Sequence, residues 1–283
     1  MRKNKTTVAD RLKKWLMPLC FMFAMPLGIQ AQSQCGIENT AFKAGEFLAY
    51  DLYFNWKFVW AKVGAASMST VMSTYDGKPA YRTSLITKGN NRLDGVFVMR
   101  DTLTSYCNIS DLSPLYFRKG AVEGKRYYVD ELWYSYPNQF TKVKMHRINS
   151  HGEHKWQEIE YNECVYDMMS IFLRARNFDA STMKKGDIIT LPITDAKDRS
   201  DSWMVYQGKE NYKVEGTGEK FRCLVFSFVE REKGKEKELI KFYITDDQNH
   251  MPVRLDMNLS FGSAKAYLRA YQGVKSELTS KIK

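Results

Sequence analysis

Apolar and polar residues alternate with a period of two over most of this sequence, and this pattern limits the fold more than any other feature. In the clearest stretch, large side chains occupy every second position: Leu48, Tyr50, Leu52, Phe54, Trp56, Phe58 and Trp60. Successive side chains of a β-strand point to opposite faces of a sheet, so this alternation predicts one long, half-buried strand from Leu48 to Trp60. A turn or bulge at Gly64 and a returning strand over Ala65–Met72 are predicted next.

The alternating stretches recur at hairpin intervals, as they do in antiparallel meanders, sandwiches and barrels. Turn-forming sequences separate them, among them Asp76-Gly77, Asn149–Gly152 and Asp246–Pro252. We therefore predict a mainly β fold, either a strongly curved antiparallel sheet or a barrel-like sandwich.

One segment departs from this rhythm and predicts the single principal amphipathic helix. Apolar residues with i, i+3, i+4, i+7 spacing are Val165, Met168, Met169 and Phe172. With Asn162 as the N-cap, the predicted helix covers residues 163–177. If the β-rich body has two lobes, they would meet near this helix.

The N-terminus has the pattern of a secretory signal peptide, with basic residues ahead of a short apolar run, Trp15–Leu27. Ile29 and Ala31 fit the −3 and −1 positions of a signal-peptidase site. The apolar run is shorter than the roughly 20 residues of a membrane-spanning helix, so no transmembrane span is predicted in the mature chain. We predict a signal peptide over residues 1–31 and one exported β-rich domain over residues 32–283.

Nearly half of the net charge of +11 belongs to this leader, which holds six basic residues and one acid. Cleavage would leave about +6 on the mature chain, which is a weak indication of nucleic-acid binding. Export argues further against it, so no nucleic-acid partner is predicted.

Four cysteines remain after cleavage: Cys35, Cys107, Cys164 and Cys223. An even number in an oxidising compartment permits two disulfides, with three possible connectivities. The alternative is that some are free, buried thiols, which behave as small hydrophobic residues. The sequence leaves the pairing open.

Several short motifs occur in the order in which they occur in one known family. They are Ala44–Tyr50, Ala61–Ala66, Val165–Ser170 with Arg174, Gly186-Asp187, Ile244–Asp247, Pro252–Arg254 and Phe261-Gly262. Over about residues 40–275, the chain thereby resembles the DUF3108 family. The resemblance implies a β-rich protein of the Gram-negative cell envelope, in the periplasm or at the outer-membrane periphery. It implies no activity and supplies no catalytic residues.

The first candidate ligand-binding site is a polar stripe on the predicted helix. Asp167, Ser170 and Arg174 are spaced i, i+3, i+7, and Tyr166 is adjacent. They could form a small polar pocket in which Arg174 binds an anionic group through both terminal nitrogens. Alternatively, they tie the helix to neighbouring strands, and their burial distinguishes the two.

The second candidate ligand-binding site is the face of the first predicted strand that carries the alternating aromatic side chains. Trp56 and Trp60, with Tyr50, could line a cavity for an apolar, lipid-like or glycan ligand inside a curved sheet. The alternative is that this face is simply packed core.

The sequence offers little support for a metal site or a catalytic site. His146, His151 and His154, near Glu153, lack the spacing of a zinc site, and His151–His154 is predicted to be a turn at an exposed hairpin tip. Adjacent Asp246 and Asp247 in a turn before proline are typical turn formers. No GxSxG or SxxK motif occurs. No metal, cofactor or catalytic residue is predicted.

The resulting hypothesis is an exported, non-enzymatic cell-envelope protein. It would bind an apolar, lipid-like or glycan ligand, or an unidentified envelope partner, on a curved β-sheet. The alternative is a hydrolase that acts on an envelope polymer through carboxylates that the fold brings together.

Overall fold

Seventeen strands and one α-helix make up the described part of the chain, which in this computed structural model is residues 35–283 without 57–58, 94, 96–97, 198, 233 and 260–261. The first strands are β1 (Glu46–Trp56), β2 (Val59–Tyr75), β3 (Lys78–Gly89), β4 (Met99–Asn108), β5 (Pro114–Glu123), β6 (Arg126–Ser135), β7 (Thr141–Ile148) and β8 (His154–Tyr161). After the helix α1 (Met168–Ala175) come β9 (Ile188–Thr190), β10 (Ile193–Thr194), β11 (Arg199–Ser200), β12 (Ser202–Lys213), β13 (Lys220–Glu232), β14 (Lys235–Thr245), β15 (Pro252–Leu259), β16 (Gly262–Gln272) and β17 (Lys281–Ile282). The predicted signal peptide lies outside the described residues.

Fifteen of the strands form one antiparallel sheet in the order β8-β7-β6-β5-β4-β3-β2-β1-β16-β15-β14-β13-β12-β9, with β17 added beside β13. Most neighbours are consecutive in sequence, so hairpins build the sheet, as the turn signals predicted. Within the described residues, β8 and β9 at the two ends do not pair with each other, and the sheet is not a closed barrel. The prediction of a mainly β protein with a large antiparallel sheet is confirmed.

The pairing of β1 with β16 joins two arms of the sheet, β1–β8 and β12–β16. One core cluster contains buried side chains from both arms, among them Leu48, Leu103, Phe117, Leu132, Val253 and Leu268. Residues far apart in the strand order can share one core only if the sheet curves. We call the face that carries Leu48, Phe117 and Leu132 the inner face.

The predicted continuous strand from Leu48 to Trp60 is wrong, because β1 ends at Trp56 and β2 begins at Val59. Trp60 pairs with Asn55, and directly paired residues lie on the same face of a sheet. Leu52 has the same parity as Leu48 and lies on the inner face, so Asn55, three residues later, lies on the outer face. Its partner Trp60 therefore also lies on the outer face. The alternation in the sequence predicted the wrong face for Trp60, because the chain reverses direction between β1 and β2.

The predicted irregularity at Gly64 is a β-bulge, where the pairing of β1 with β2 shifts register between Leu52 and Tyr53. A Cβ atom on Gly64 would overlap the carbonyl oxygen of Lys88 on β3. The close approach of the two strands therefore requires glycine.

The helix is shorter than predicted, eight residues instead of the range 163–177, and its N-cap is Asp167 rather than Asn162. The Asp167 carboxylate accepts hydrogen bonds from the backbone nitrogens of Met169 and Ser170, each at 2.8 Å. Tyr166, just before the cap, forms a parallel bridge with Ile193. Pairing with β10 holds the preceding residues extended, so the helix begins only at the better cap.

Candidate functional site

Two residues of the predicted polar stripe are sealed inside the protein. Asp167 is 0% exposed and Ser170 is 1% exposed. They form a capping box, in which the Ser170 hydroxyl accepts from the Asp167 backbone nitrogen at 3.0 Å. Ser105 of β4 donates to the second carboxylate oxygen of Asp167 at 3.4 Å. The bonds of the capping box hold the start of the helix, and the bond from Ser105 anchors the helix to the sheet.

Because Asp167 is buried, the pKa of its carboxyl differs from the ordinary value. Burial raises the pKa of its carboxyl to about 6, although hydrogen bonds from Ser170 and Met169 act in the opposite direction. Desolvation disfavours the charged form of a carboxylic acid. The charge of Asp167 is therefore a cost to the folded state near neutral pH.

The other two residues of the stripe hold the N-terminal segment of the described chain. Arg174 donates through Nη1 to the carbonyl oxygen of Cys35 at 3.0 Å, and the Tyr166 hydroxyl donates to the same oxygen at 3.2 Å. The Arg174 guanidinium also lies 5.1 Å from the centre of the Tyr166 ring. Both side chains are engaged with protein groups.

Cys35 and Cys164 form a disulfide, with their Cα atoms 5.2 Å apart. Cys107 and Cys223 are free and buried. Burial raises the pKa of both thiols, in the case of Cys223 to about 12. Because the thiolate is the nucleophilic form, neither is a nucleophile at neutral pH.

A buried ion pair that the sequence analysis missed fixes the end of the helix. Arg176 donates to both carboxylate oxygens of Glu46, at 2.6 and 2.8 Å, and to the carbonyl oxygen of Asn249. Arg176 and Glu46 are both nearly inaccessible to solvent. Their separation of 130 residues explains why spacing carried no signal for the pair.

The adjacent acids of the β14–β15 turn have structural partners. Asp246 pairs with Lys209 at 2.9 Å and Arg222 at 2.7 Å. Asp247 accepts hydrogen bonds from the Asn249 backbone and the Ser280 hydroxyl. The interpretation as a turn former is confirmed for Asp247, whereas Asp246 instead pairs with two basic side chains.

An aromatic row on the outer face of the first arm is the most distinctive surface feature. It consists of Tyr75, Tyr106, Tyr116, Trp133 and Trp156, which we call the aromatic ladder. From Tyr106 on β4 through Tyr116 on β5 and Trp133 on β6 to Trp156 on the edge strand β8, each ring centre lies between 5.5 and 6.2 Å from the centre of the next. Tyr75, at the end of β2, packs beside this row, 5.5 Å from Tyr106 and 5.9 Å from Tyr116.

The register of the strands shows why the rings align. Tyr106 pairs with Tyr116, and Tyr116 pairs with Trp133. Their sequence neighbours Phe117 and Leu132 point into the core, so the ladder must lie on the opposite face. Trp156 at the edge is 56% exposed.

A chain of hydrogen bonds supports the ladder. The Tyr116 hydroxyl donates to Glu131 at 2.7 Å, the other Glu131 oxygen lies 2.8 Å from His146 Nδ1, and His146 Nε2 lies 2.9 Å from His154 Nδ1. The His146 ring, only 6% exposed, stacks on Trp156 with a centre distance of 4.0 Å. These contacts limit the rotation of the rings.

The same contacts shift the titration of Glu131 and Tyr116. Burial would raise the pKa of the Glu131 carboxyl, but hydrogen bonds from His146 and Tyr116 lower it overall. Burial and the bond to Glu131 raise the pKa of Tyr116. At neutral pH the carboxylate is ionised and the phenol keeps its proton.

His146 lies on β7 and is buried in this chain of hydrogen bonds, and His154, predicted to lie in the turn, is the first residue of β8. His151 does lie exposed in the β7–β8 turn. Across the described residues, no group of three or more His, Cys, Asp or Glu side chains is arranged to hold a metal ion.

The aromatic residues predicted from the first strand are divided between the two faces. Leu48 and Tyr50 belong to the inner core. Trp60 is 41% exposed on the outer face, with the Lys265 ammonium 4.4 Å from its ring centre. The side chain of Trp56 lies outside the described part of the structure. Ligand binding by Trp56 and Trp60 stays a prediction.

No helix within the described ranges is both long and apolar enough to span a membrane.

The fold and the outer surface define a mainly β protein with one large, open antiparallel sheet and an aromatic row across one arm. The family described as "Protein of unknown function (DUF3108)" matches residues 49–269, and the chain belongs to this family. The resemblance found in the sequence is thus confirmed. No curated protein matches the sequence.

One solved structure similar to this chain is described as a beta-barrel-like protein of domain of unknown function DUF1849 from Brucella abortus. The two share 13% sequence identity with a TM-score of 0.51, over 83% of this chain and 100% of that chain. At this identity the likeness shows the fold alone.

Proposed function

We propose that this protein is an exported, non-enzymatic cell-envelope protein that binds a glycan chain along its aromatic ladder. The observation that carries the proposal is the group of five rings in contact on one outer face, four of which, Tyr106, Tyr116, Trp133 and Trp156, follow one another across the strands. Like the sequence hypothesis, the proposal has the ligand on a curved sheet, but it assigns different residues to the site.

The dimensions and chemistry of the ladder favour an extended ligand. The four rings from Tyr106 on β4 to Trp156 on β8 cross four strand spacings of about 4.8 Å, so this part of the ladder is about 19 Å long. Aromatic side chains offer large apolar faces at a low cost in conformational entropy. A sugar ring has an apolar C–H face and polar hydroxyls at its edge, which matches rings flanked by Glu131, His154 and Lys144.

A lipid-like ligand has less support, because it needs an enclosed apolar cavity. The inner-face side chains that would line one, including Leu48, Leu132 and Leu268, are fully buried against each other in the core. Single-stranded nucleic acid also binds to aromatic rows beside basic residues. The proposed export makes it a poorer candidate.

Two observations support export. The N-terminal sequence has the pattern of a signal peptide. The Cys35–Cys164 disulfide fits an oxidising compartment such as the periplasm or the outer-membrane periphery of a Gram-negative bacterium.

The proposal is tested with Trp133→Ala combined with Trp156→Ala, with electrophoresis through gels that contain soluble β-glucan, alginate or phosphomannan. We expect the wild type to be retarded by at least one of these polymers and the double variant to bind about tenfold more weakly, because two stacking surfaces are lost. Both side chains are partly exposed, so circular dichroism should remain unchanged.

Trp60→Ala is the matched control, since it removes an exposed tryptophan from the outer face away from the ladder. Equal loss of binding in Trp60→Ala, or full binding by the double variant, would contradict the ladder as the site. Release of reducing ends from the polymer would instead favour the hydrolase hypothesis.

A further inference from the structure

We infer that the glycan bound by the aromatic ladder is acidic, carrying carboxylate or phosphate groups. This inference rests on the proposed function and adds the class of ligand. It follows from how the charged side chains are arranged beside the rings.

Basic residues directly flank the ladder. Arg82 of β3 pairs with Tyr106, and Lys144 of β7 pairs with Trp133. The Lys144 ammonium also lies 5.0 Å from the centre of the Trp156 ring. Among the described residues, no carboxylate forms an ion pair with Arg82 or Lys144. Both cations are therefore available beside the ladder, Arg82 next to Tyr106 and Lys144 between Trp133 and Trp156.

Two carboxylates near these cations, Glu131 and Glu158, are in contrast already engaged. Glu131 lies between the Tyr116 hydroxyl and His146, and the Arg118 Nε lies 3.7 Å from it. Glu158 pairs with Lys142 at 2.7 Å. The charges of Glu131 and Glu158 are balanced within the protein, whereas the charges of Arg82 and Lys144 face the solvent.

This arrangement suits a ligand with regularly spaced anionic groups. An Arg guanidinium binds carboxylate or phosphate through two parallel hydrogen bonds, and a Lys ammonium acts as a compact point charge. The sugar rings would stack on the aromatic rings, while the anionic substituents would contact the flanking cations. A neutral glycan would leave both cations without a partner.

The test compares the wild type with Arg82→Gln combined with Lys144→Gln. Gel retardation and calorimetric titration would use neutral β-glucan, alginate as a uronate polymer, phosphomannan as a phosphate polymer, and single-stranded oligothymidylate. The matched control is Lys220→Gln with Lys237→Gln, which removes two exposed lysines from β13 and β14 in the other arm of the sheet.

We expect an acidic polymer to bind more tightly than β-glucan, and to lose affinity in the Arg82/Lys144 variant by about fivefold, the size of one or two exposed ion pairs. The same loss should appear in the wild type at high salt, because salt screens exposed charges. The control variant should bind like the wild type. Comparison of alginate with phosphomannan identifies the anionic group.

Equal binding of β-glucan and the acidic polymers, unchanged by the charge substitutions, would overturn this inference and leave the proposed function standing. Tighter binding of oligothymidylate than of every polysaccharide would overturn both. Binding of no polymer by the wild type would overturn the proposed function itself.

Discussion

Single buried side chains show how local chemistry and tertiary position combine in this protein. Asp167 is a helix N-cap, a role that a short polar residue fills because its oxygen accepts from the first backbone nitrogens. The surrounding sheet then removes it from water, which raises the pKa of the carboxyl to about 6. A residue that starts a helix has thus become sensitive to pH.

Asp167→Asn should reduce the pH dependence of stability. Because the pKa is raised in the folded state, that state binds more protons than the unfolded state between about pH 4 and pH 6. The free energy of unfolding of the wild type therefore falls as the pH rises through this window. Asparagine keeps the capping oxygen and cannot ionise, so it should remove up to about 3 kcal/mol of this dependence.

The measurement for Asp167→Asn is urea denaturation of both proteins at pH 4, 5, 6 and 7. The variant should gain stability relative to the wild type as the pH increases. A difference between the two proteins that stays constant over this range would show that Asp167 does not titrate there.

At the scale of the elements, turns and close backbone contacts determine how strands pair as much as apolar alternation does. The residues of β1 and β2 alternate throughout Leu48–Trp60, but the chain reverses within that stretch. No breaker residue such as Gly or Pro stands between Trp56 and Val59 to mark the end of β1 in the sequence. The bulge at Gly64 was predictable, because glycine within a strand marks a site of close backbone approach.

Gly64→Ala should destabilise the β1–β2–β3 region by about 2 kcal/mol, because the new methyl group would overlap the backbone of Lys88. Gly120→Ala is the control: its methyl group would meet only the flexible end of Arg118, at 2.9 Å. Thermal unfolding of the two variants checks this. Similar midpoints for Gly64→Ala and the wild type would mean that the strands separate easily.

The alignment of the aromatic ladder is also determined at the scale of the elements. Trp133 lies between Leu132 and Tyr134, both buried, so both parities of β6 are apolar and sequence alternation could not tell the inner from the outer face. The order of strands in the sheet, not the pattern within one strand, aligns Tyr106, Tyr116 and Trp133.

For the whole molecule, the open ends of the sheet and the disulfide matter most. Gln157 of the edge strand β8 donates to the carbonyl oxygen of Lys197 at 2.8 Å, which ties the β10–β11 hairpin to this edge. The Cys35–Cys164 bond joins residues 129 positions apart. A crosslink over so long a loop restricts the unfolded chain strongly.

Reduction of the disulfide should lower the free energy of unfolding by about 2–5 kcal/mol. Thermal unfolding with and without dithiothreitol measures this effect in the wild type. Cys35→Ser combined with Cys164→Ser should be as unstable as the reduced wild type and should not respond to dithiothreitol, because Cys107 and Cys223 are unpaired. A reductant effect that persists in this variant would point to a different pairing.

The sequence alone determined the mainly β class, the antiparallel hairpin connections, the single helix near Met168 and the family, because these depend on periodicity, turn chemistry and ordered motifs. Tertiary structure decided the Cys35–Cys164 pairing, the cap at Asp167, the Glu46–Arg176 ion pair and the aromatic ladder. Each of these depends on which strands lie side by side. Short-range patterns carry no record of a contact between residues on distant strands, and here such contacts form both the buried anchors and the candidate binding surface.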